Sequence, residues 1–188
     1  AEQEVGPELL EAVLEEAAKL ATEVLAPLNK SGDVQGAQIG PAGVIPAAGF
    51  TEAYRSFIEG GWNGISSPVE HGGQGLPELF NTATQEMWNS ANMSFALCPM
   101  LNAGAIEAIS RAGSAEQRAL YLPNMVSGEW TGTMNLTEPQ AGSDLSAVRT
   151  RAVPHGDHYR IFGQKIFITW GDHDMTENTI HLVLARTP

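Results

Sequence analysis

The chain holds one cysteine, Cys98, among 188 residues, so no disulfide can form within it and a cysteine-based zinc site is excluded. Cations are scarce too: 10 Lys and Arg stand against 22 Asp and Glu, a formal net charge of −12. Such a surface repels a phosphate backbone, which argues against nucleic-acid binding. No apolar run approaches the roughly 18 residues of a bilayer span, and the acidic N-terminus lacks the basic, apolar layout of a secretion signal. Repeats and low-complexity tracts are missing as well. The expectation is a protein of a reducing compartment, the cytoplasm, with no membrane span.

What is present suffices for a folded core: 43% hydrophobic residues against 17% charged ones, with Trp62, Trp88, Trp130 and Trp170 to pack. From Pro7 to Asn29, Leu9, Leu10, Val13, Leu14, Ala17, Leu20, Ala21, Val24, Leu25 and Leu28 recur at three-and-four spacing, which predicts an amphipathic helix with Pro7 in its first turn. Residues 31–49 are crowded with Gly and Pro and predict a long loop, after which Thr51 is placed to cap a short helix ended by Gly60 and Gly61. The stretch 76–113 reads as mostly helical, broken near Ser90–Asn92 and disturbed at Pro99. Ser114 and Gln117 form a capping box for a helix expected to stop before Pro123.

The pattern changes after Gly128, where β-branched and aromatic residues alternate between Gly, Pro and Asp turns. The fold class expected is a mainly α-helical bundle, residues 1–129, followed by the start of an antiparallel β domain, residues 130–188. Three or four strands leave that sheet incomplete on at least one face and one edge.

Four stretches invite a functional reading. HGGQG at 71–75 resembles a phosphate cradle but lacks a following Lys-Ser/Thr and a strand-turn-helix setting, so a structural turn is the better reading. His173, Glu177 and His181 have metal-ligand spacing on a helix, but the segment reads as turn then strand, which spreads them apart. The stripe MWNSANMSFALCPM at 87–100 could line an apolar tunnel, although core packing is the commoner outcome. NLTEPQAGSD at 135–144 is the most specific: a strand end, Thr137, Gly142 and Ser143 gather neutral donors suited to a heterocycle beside a pyrophosphate. A capped β-turn, with Glu138 and Asp144 satisfying nearby amides, explains it equally well.

At these residues a resemblance enters. LTEPQAGSDLSA resembles the first signature of the acyl-CoA dehydrogenase family; GGWNGISSPVEHGGQG, GSAEQRALYLPNMVSGE and GQKIFITWG resemble three further family motifs, in the family's order. MNLTEP and KIFITWGDHDMTENTIHLVLARTP are most similar to its larger branch, the 3-methylmercaptopropionyl-CoA dehydrogenase-like proteins. The resemblance implies a helical domain, a middle β domain and a C-terminal helical domain, of which this chain supplies the first and part of the second. It also implies FAD as cofactor, an acyl-CoA substrate, electron transfer flavoprotein as acceptor, and homo-oligomers.

By resemblance, Met134, Asn135, Leu136, Thr137, Gly142 and Ser143 lie along the flavin and its pyrophosphate, with the Leu136 amide and Thr137 hydroxyl at the ring's pyrimidine edge. Ser143 also touches the CoA portion of the substrate. Phe167, Ile168 and Thr169 belong to a flavin-contacting strand, Phe167 packing on the ring and Thr169 bonding to N5. Phe167 replaces the Trp of many members, and Asn135 replaces a small apolar residue. The implied reaction is α,β-dehydrogenation of the thioester to a trans-2-enoyl-CoA, one hydrogen leaving as a proton to a carboxylate and one as hydride to flavin. The family's base is a glutamate expected beyond Pro188, so no catalytic residue is assigned here and the 188-residue piece alone is expected to be inactive. An acyl-CoA oxidase or flavin monooxygenase of the same fold is the first alternative; a non-catalytic, DNA-associated or scaffold member is the second. No metal ligand set is expected.

Overall fold

The computed structural model describes residues 6–188; residues 1–5, the beginning of the expected helical domain and of the acidic N-terminus, lie outside the described residues. Helix α1, Pro7–Lys19, runs into a π-helical stretch, Leu20–Leu25, and on into α2, Ala26–Gln35. The wide turn falls just before Pro27, whose ring nitrogen offers no N–H to the preceding ladder. The helix therefore reaches Gln35, beyond the loop predicted from residue 31. Gly32 accounts for the extension: it is buried, and a Cβ there would lie 2.7 Å from the Phe50 ring, so α2 packs directly on Phe50. The rest of the expected loop folds as a hairpin, β1 (Gln38–Gly40) against β2 (Gly43–Ile45).

Helix α3, Phe50–Glu59, starts at Gly49 in a left-handed conformation, with no side-chain cap; Thr51 lies inside the helix. The HGGQG stretch forms a tight turn. A Cβ on Gly73 would sit 2.1 Å from the Ser67 carbonyl oxygen, so glycine is a steric requirement here, and the structural reading of the motif accounts for it.

Helix α4, Glu78–Ala112, is the axis of the bundle. By length and composition it is apolar enough to cross a bilayer; in this fold it packs against α1, α2, the helix that follows it and a β-strand. Its backbone breaks at Asn92 (φ −158°, ψ 89°), as the sequence predicts, while Pro99 is carried within the helix. Asn92 is fully buried: its Nδ2 donates to Leu25 O (3.2 Å), and its Oδ1 accepts from Phe95 N (3.1 Å) and Ser94 Oγ (2.7 Å). One side chain thus caps the second half of α4 and ties it to the end of the π-helical stretch.

Helix α5, Ala115–Ser127, has the capping box expected of Ser114 and Gln117 but continues through Pro123. Burial of Leu122, Met125 and Val126 overrides the break. The carbonyls of its last turn also have dedicated donors: Asn63 Nδ2 reaches Met125 O (2.7 Å) and Val126 O (3.0 Å), and Asn102 Nδ2 reaches Met125 O (2.9 Å). Tyr54 donates to Gly128 O (2.9 Å), fixing the corner at which the chain leaves the helices.

Four strands follow: β3 (Trp130–Asn135), β4 (Arg151–His155), β5 (His158–Phe162) and β6 (Asn178–Val183). β4 and β5 form an antiparallel hairpin, whereas β3 and β6 run parallel, joined by a long crossing segment. GQKIFITWG, expected as a strand, lies outside any sheet and turns at Thr169–Trp170, because Phe167 (φ 58°) and Trp170 (φ 52°) are left-handed and interrupt a ladder.

Three apolar clusters hold the described residues together, the smallest formed by Ile65, Leu76 and Phe80 against Leu10, Val13 and Trp62; the other two are larger. One joins the N-terminal helices to α3 and α4 through Leu25, Phe50, Phe57, Trp88 and Phe95, with Phe57 edge-on to Trp88 at 4.9 Å. The other joins α4 and α5 to β3 and β6 through Ile106, Leu122, Met125, Trp130, Ile180 and Leu182. Trp88, Phe95 and Cys98 of the Met and aromatic stripe are core residues, whereas Met93 and Met100 are exposed. Burial pushes the Cys98 thiol up to about 12, so it stays protonated and unreactive.

Candidate functional site

Strand β3 separates two environments. Gly132 faces the helices so closely that a Cβ would lie 2.5 Å from Ala105 and 2.7 Å from Met125. Thr131, Thr133 and Asn135 alternate with it and face the other way. Each holds one point of the chain between 169 and 181: Thr133 Oγ1 donates to Thr169 O (2.8 Å), Thr131 Oγ1 lies 3.0 Å from His173 Nε2, and the Asn135 amide lies 3.1 Å from His181 Nδ1. His173 and His181 are thereby committed to separate partners on β3, and no group of three metal-type ligands forms among the described residues.

His173 is buried, and Met175 N–H donates to its Nδ1 (3.3 Å), which leaves Nε2 to carry the proton toward Thr131. Burial pushes its pKa below the ordinary 6.5, against the opposing pull of Asp172 and Asp174. The unfolded chain then takes up a proton before the folded one does. The stability due to neutral His173 is complete above about pH 6.5 and declines as the pH falls from there toward the folded value. Thermal midpoints of the complete protein recorded from neutral to mildly acidic pH are expected to show this decline, and His173→Gln is expected to remove it.

The signature stretch is organised by Glu138. Its carboxylate is buried, as is the side chain of Lys165, and the two are 2.9 Å apart. The same carboxylate accepts from Gln140 Nε2 (2.5 Å), Arg149 N (2.8 Å) and Thr150 N (2.9 Å). Burial by itself would raise its pKa; hydrogen bonds from Thr150, Arg149 and Lys165 outweigh that and hold the carboxyl well below the usual carboxylate range. Lys165 Nζ also donates to Leu136 O (2.9 Å), and Ile166 N donates to Thr137 O (3.0 Å), so the 163–171 segment is clamped against the end of β3.

The capped-turn reading of NLTEPQAGSD therefore holds for its acidic residues. Glu138 and Ala141 exchange backbone bonds (2.9 and 3.0 Å), and Asp144 accepts from Ser146 N (2.9 Å) and Ser146 Oγ (2.5 Å). Other groups remain turned outward. Asn135 O accepts from Leu184 N of the β6 segment, which by strand alternation points the Leu136 N–H to the opposite edge. Gly142 and Ser143 are exposed, and a Cβ on Gly142 would meet nothing within 4 Å. Phe167 presents its ring to the outside, 87% exposed, from a left-handed backbone.

Asn135, Lys165, Ile168, Thr169 and His181 line an open cleft of about 1120 Å³ with Ser94, Leu97 and Trp170. Pro46, Ala47 and Phe50 form a buried apolar floor, and Lys30, Asp33 and Asp172 an exposed charged rim. Asp172 Oδ2 accepts from Val44 N (3.1 Å), which ties the β1–β2 hairpin to the cleft loop. Of the residues expected at the site, Asn135, Ile168 and Thr169 share this cleft; Met134 lies on β3, and Leu136, Thr137, Gly142, Ser143 and Phe167 are outside its lining. Thr131 and Thr133 are not expected from the sequence, nor are the partners of two residues that are named there, Thr131 for His173 and Lys165 for Glu138. A polar residue at every second position of an otherwise apolar strand, 131, 133 and 135, is the signal that could have revealed the first two.

A helical bundle followed by a small β region is the fold of solved proteins of the acyl-CoA dehydrogenase family. The chain belongs to that family: the family model for the acyl-CoA dehydrogenase N-terminal domain matches residues 7–129. Among curated proteins it is 53% identical over 178 residues to the 3-methylmercaptopropionyl-CoA dehydrogenase of Ruegeria pomeroyi, covering 94% of this chain and 30% of that protein. It is 39% identical over 188 residues to a butyryl-CoA dehydrogenase of Syntrophomonas wolfei, covering 97% of this chain and 31% of that protein. The solved glutaryl-CoA dehydrogenase of Mycobacterium smegmatis has the same fold, with a TM-score of 0.78 at 24% identity over 98% of this chain and 44% of that one. The chain thus spans under a third of the length of these two curated relatives.

Proposed function

We propose that the complete protein is an FAD-dependent acyl-CoA dehydrogenase that converts an acyl-CoA thioester to the trans-2-enoyl-CoA and passes its electrons to an electron transfer flavoprotein. In this reading residues 1–129 are its helical domain and residues 130–188 the first part of its middle β domain. The observation that supports the proposal is the clamp: Lys165 bonds to Glu138 and to Leu136 O, and Ile166 N–H to Thr137 O, which joins the signature stretch to the segment that carries the exposed Phe167 ring and Thr169. An aromatic side chain held outward at positive φ is strained backbone of the kind that ligand sites retain.

These residues fit the cofactor. The Leu136 N–H and Thr137 hydroxyl are donors for the pyrimidine edge, the open space over Gly142 and the Ser143 hydroxyl suit a pyrophosphate, and Phe167 offers a face for the ring. FAD, when bound, supplies the two-electron acceptor. The chain's own part is to bind, orient and polarise: donors at the pyrimidine edge favour negative charge there. Met134, Asn135 and Ile168 support those contacts from the strand and the loop, and Ser143 is placed to meet the CoA portion. The base is assigned to none of these residues. Glu138 is consumed by Lys165 and backbone amides, and Glu177 is an exposed side chain outside the cleft lining; by family resemblance, removal of the α-proton is assigned to a glutamate in the remainder of the complete protein.

The test is cofactor retention in the complete protein. Phe167→Ala is expected to weaken FAD binding by roughly tenfold, the scale of one lost aromatic contact. Thr169→Val is expected to keep FAD bound while shifting its absorbance spectrum and reduction potential. Full FAD retention with an unchanged spectrum in both variants would place the flavin elsewhere.

A further inference from the structure

Trp170 follows Thr169 directly, and its backbone is left-handed at φ 52°, a conformation that favours glycine. Its ring stacks on Phe50 at 6.1 Å and 25° and stands edge-on to His173 at 5.7 Å and 70°. Its Nε1–H donates to Ser94 O (2.9 Å), two residues past the break at Asn92. One side chain therefore joins the cleft loop to α3 and α4, and a large ring fills the space between Thr169 and the α4 wall. Retaining a bulky side chain in strained backbone calls for a specific gain at that point, and the α4 break presents Ser94 to it.

We infer that Trp170 sets acyl-chain length in this cleft, and that the substrate class is a short acyl thioester. The inference rests on the acyl-CoA dehydrogenase reading above and goes beyond it by naming the wall at which the chain ends. With the reacting carbons beside Thr169, an acyl tail entering the apolar floor meets the Trp170 and Phe50 rings, backed by Leu97 of α4. The charged rim of Lys30, Asp33 and Asp172 leaves the floor as the apolar route. A wall of two stacked aromatic rings held by a hydrogen bond yields little, so a longer tail is excluded sterically.

The experiment uses the complete protein loaded with FAD, with kcat/KM measured for butanoyl-, octanoyl- and dodecanoyl-CoA. The native enzyme is expected to favour butanoyl-CoA. Trp170→Gly, which also relieves the left-handed backbone, is expected to raise the dodecanoyl-to-butanoyl ratio by roughly tenfold or more, the discrimination of a few methylene groups. Trp170→Phe keeps a wall and is expected to keep the short-chain preference. Should Trp170→Gly fail to fold, Leu97→Ala enlarges the same wall from α4 and is expected to shift the ratio in the same direction. An unchanged ratio in the variant that folds, or a native preference for dodecanoyl-CoA, overturns the inference while leaving the dehydrogenase reading intact. Absence of turnover by the native enzyme with every acyl-CoA, despite bound FAD, overturns that reading and this inference with it.

Discussion

Glu138→Gln is expected to lower the thermal midpoint of the complete protein by several degrees and to release FAD, although Glu138 itself is assigned no contact with the cofactor. The amide would keep one acceptor oxygen, for either the Arg149 side or the Thr150 and Lys165 side, and turn a donor toward the other; in both orientations the Lys165 ammonium, 2.9 Å from the native carboxylate with its side chain 9% exposed, loses its counter-charge. A buried ion without its counter-charge costs far more than loss of the pair as a whole. Lys165→Met alone is therefore expected to be milder, since backbone amides still serve the carboxylate, and the double variant is expected to regain much of the loss. The acid response follows from the depressed carboxyl: its folded pKa lies below the ordinary 4.5, so its contribution is complete above about pH 4.5 and is lost as the pH falls through the folded value. A double-mutant cycle read by melting temperature and FAD content checks this. Equal, additive losses in the single variants would mean that the pair does not act as one clamp.

Asn92→Leu is the second large effect. The substitution fits apolar surroundings but leaves the Leu25 carbonyl, the Phe95 N–H and the Ser94 hydroxyl without the partners they have at 2.7 to 3.2 Å. With the site fully buried, loss of these bonds and of the internal cap is expected to destabilise by about 3 kcal/mol, offset slightly by the added apolar contact. Urea denaturation with an unchanged slope and a lower midpoint is the expected result. The break at Asn92 also positions Ser94 for Trp170, so the same substitution is expected to loosen the cleft loop, seen as faster amide exchange over residues 169–173. Asn92→Asp, which keeps an acceptor for Phe95 but introduces a buried charge near a carbonyl, is expected to be at least as damaging.

Much of the helical bundle was legible because its signals are local. The apolar spacing of α1, the Ser114–Gln117 box and the polar interruption at Asn92 each act within a few residues of where they stand. The misses share a cause: contacts remote in sequence override local preference. Packing of Gly32 against Phe50 extends α2 past the Gly-rich boundary, and Asn63 and Asn102 serve the α5 carbonyls that allow the helix to run through Pro123. At the site, Glu138 and Lys165 are 27 residues apart, and neither residue type announces a buried pair. The left-handed backbones of Phe167 and Trp170 are also invisible locally, because neither residue favours that conformation and only the surrounding clamp enforces it. The motif NLTEPQAGSD was legible as a gathering of donors, and its division of labour was not. Its carboxylates stabilise the turn, while the Leu136 N–H points away from β6 and Ser143 is exposed.

The most direct measurement is an anaerobic titration of the complete, FAD-loaded protein with butanoyl-CoA, followed by flavin absorbance. The account predicts bleaching of the visible flavin band with formation of the trans-2-enoyl thioester, and recovery of the band on adding electron transfer flavoprotein. A protein that retains FAD but keeps its full absorbance with butanoyl-, octanoyl- and dodecanoyl-CoA alike would contradict it.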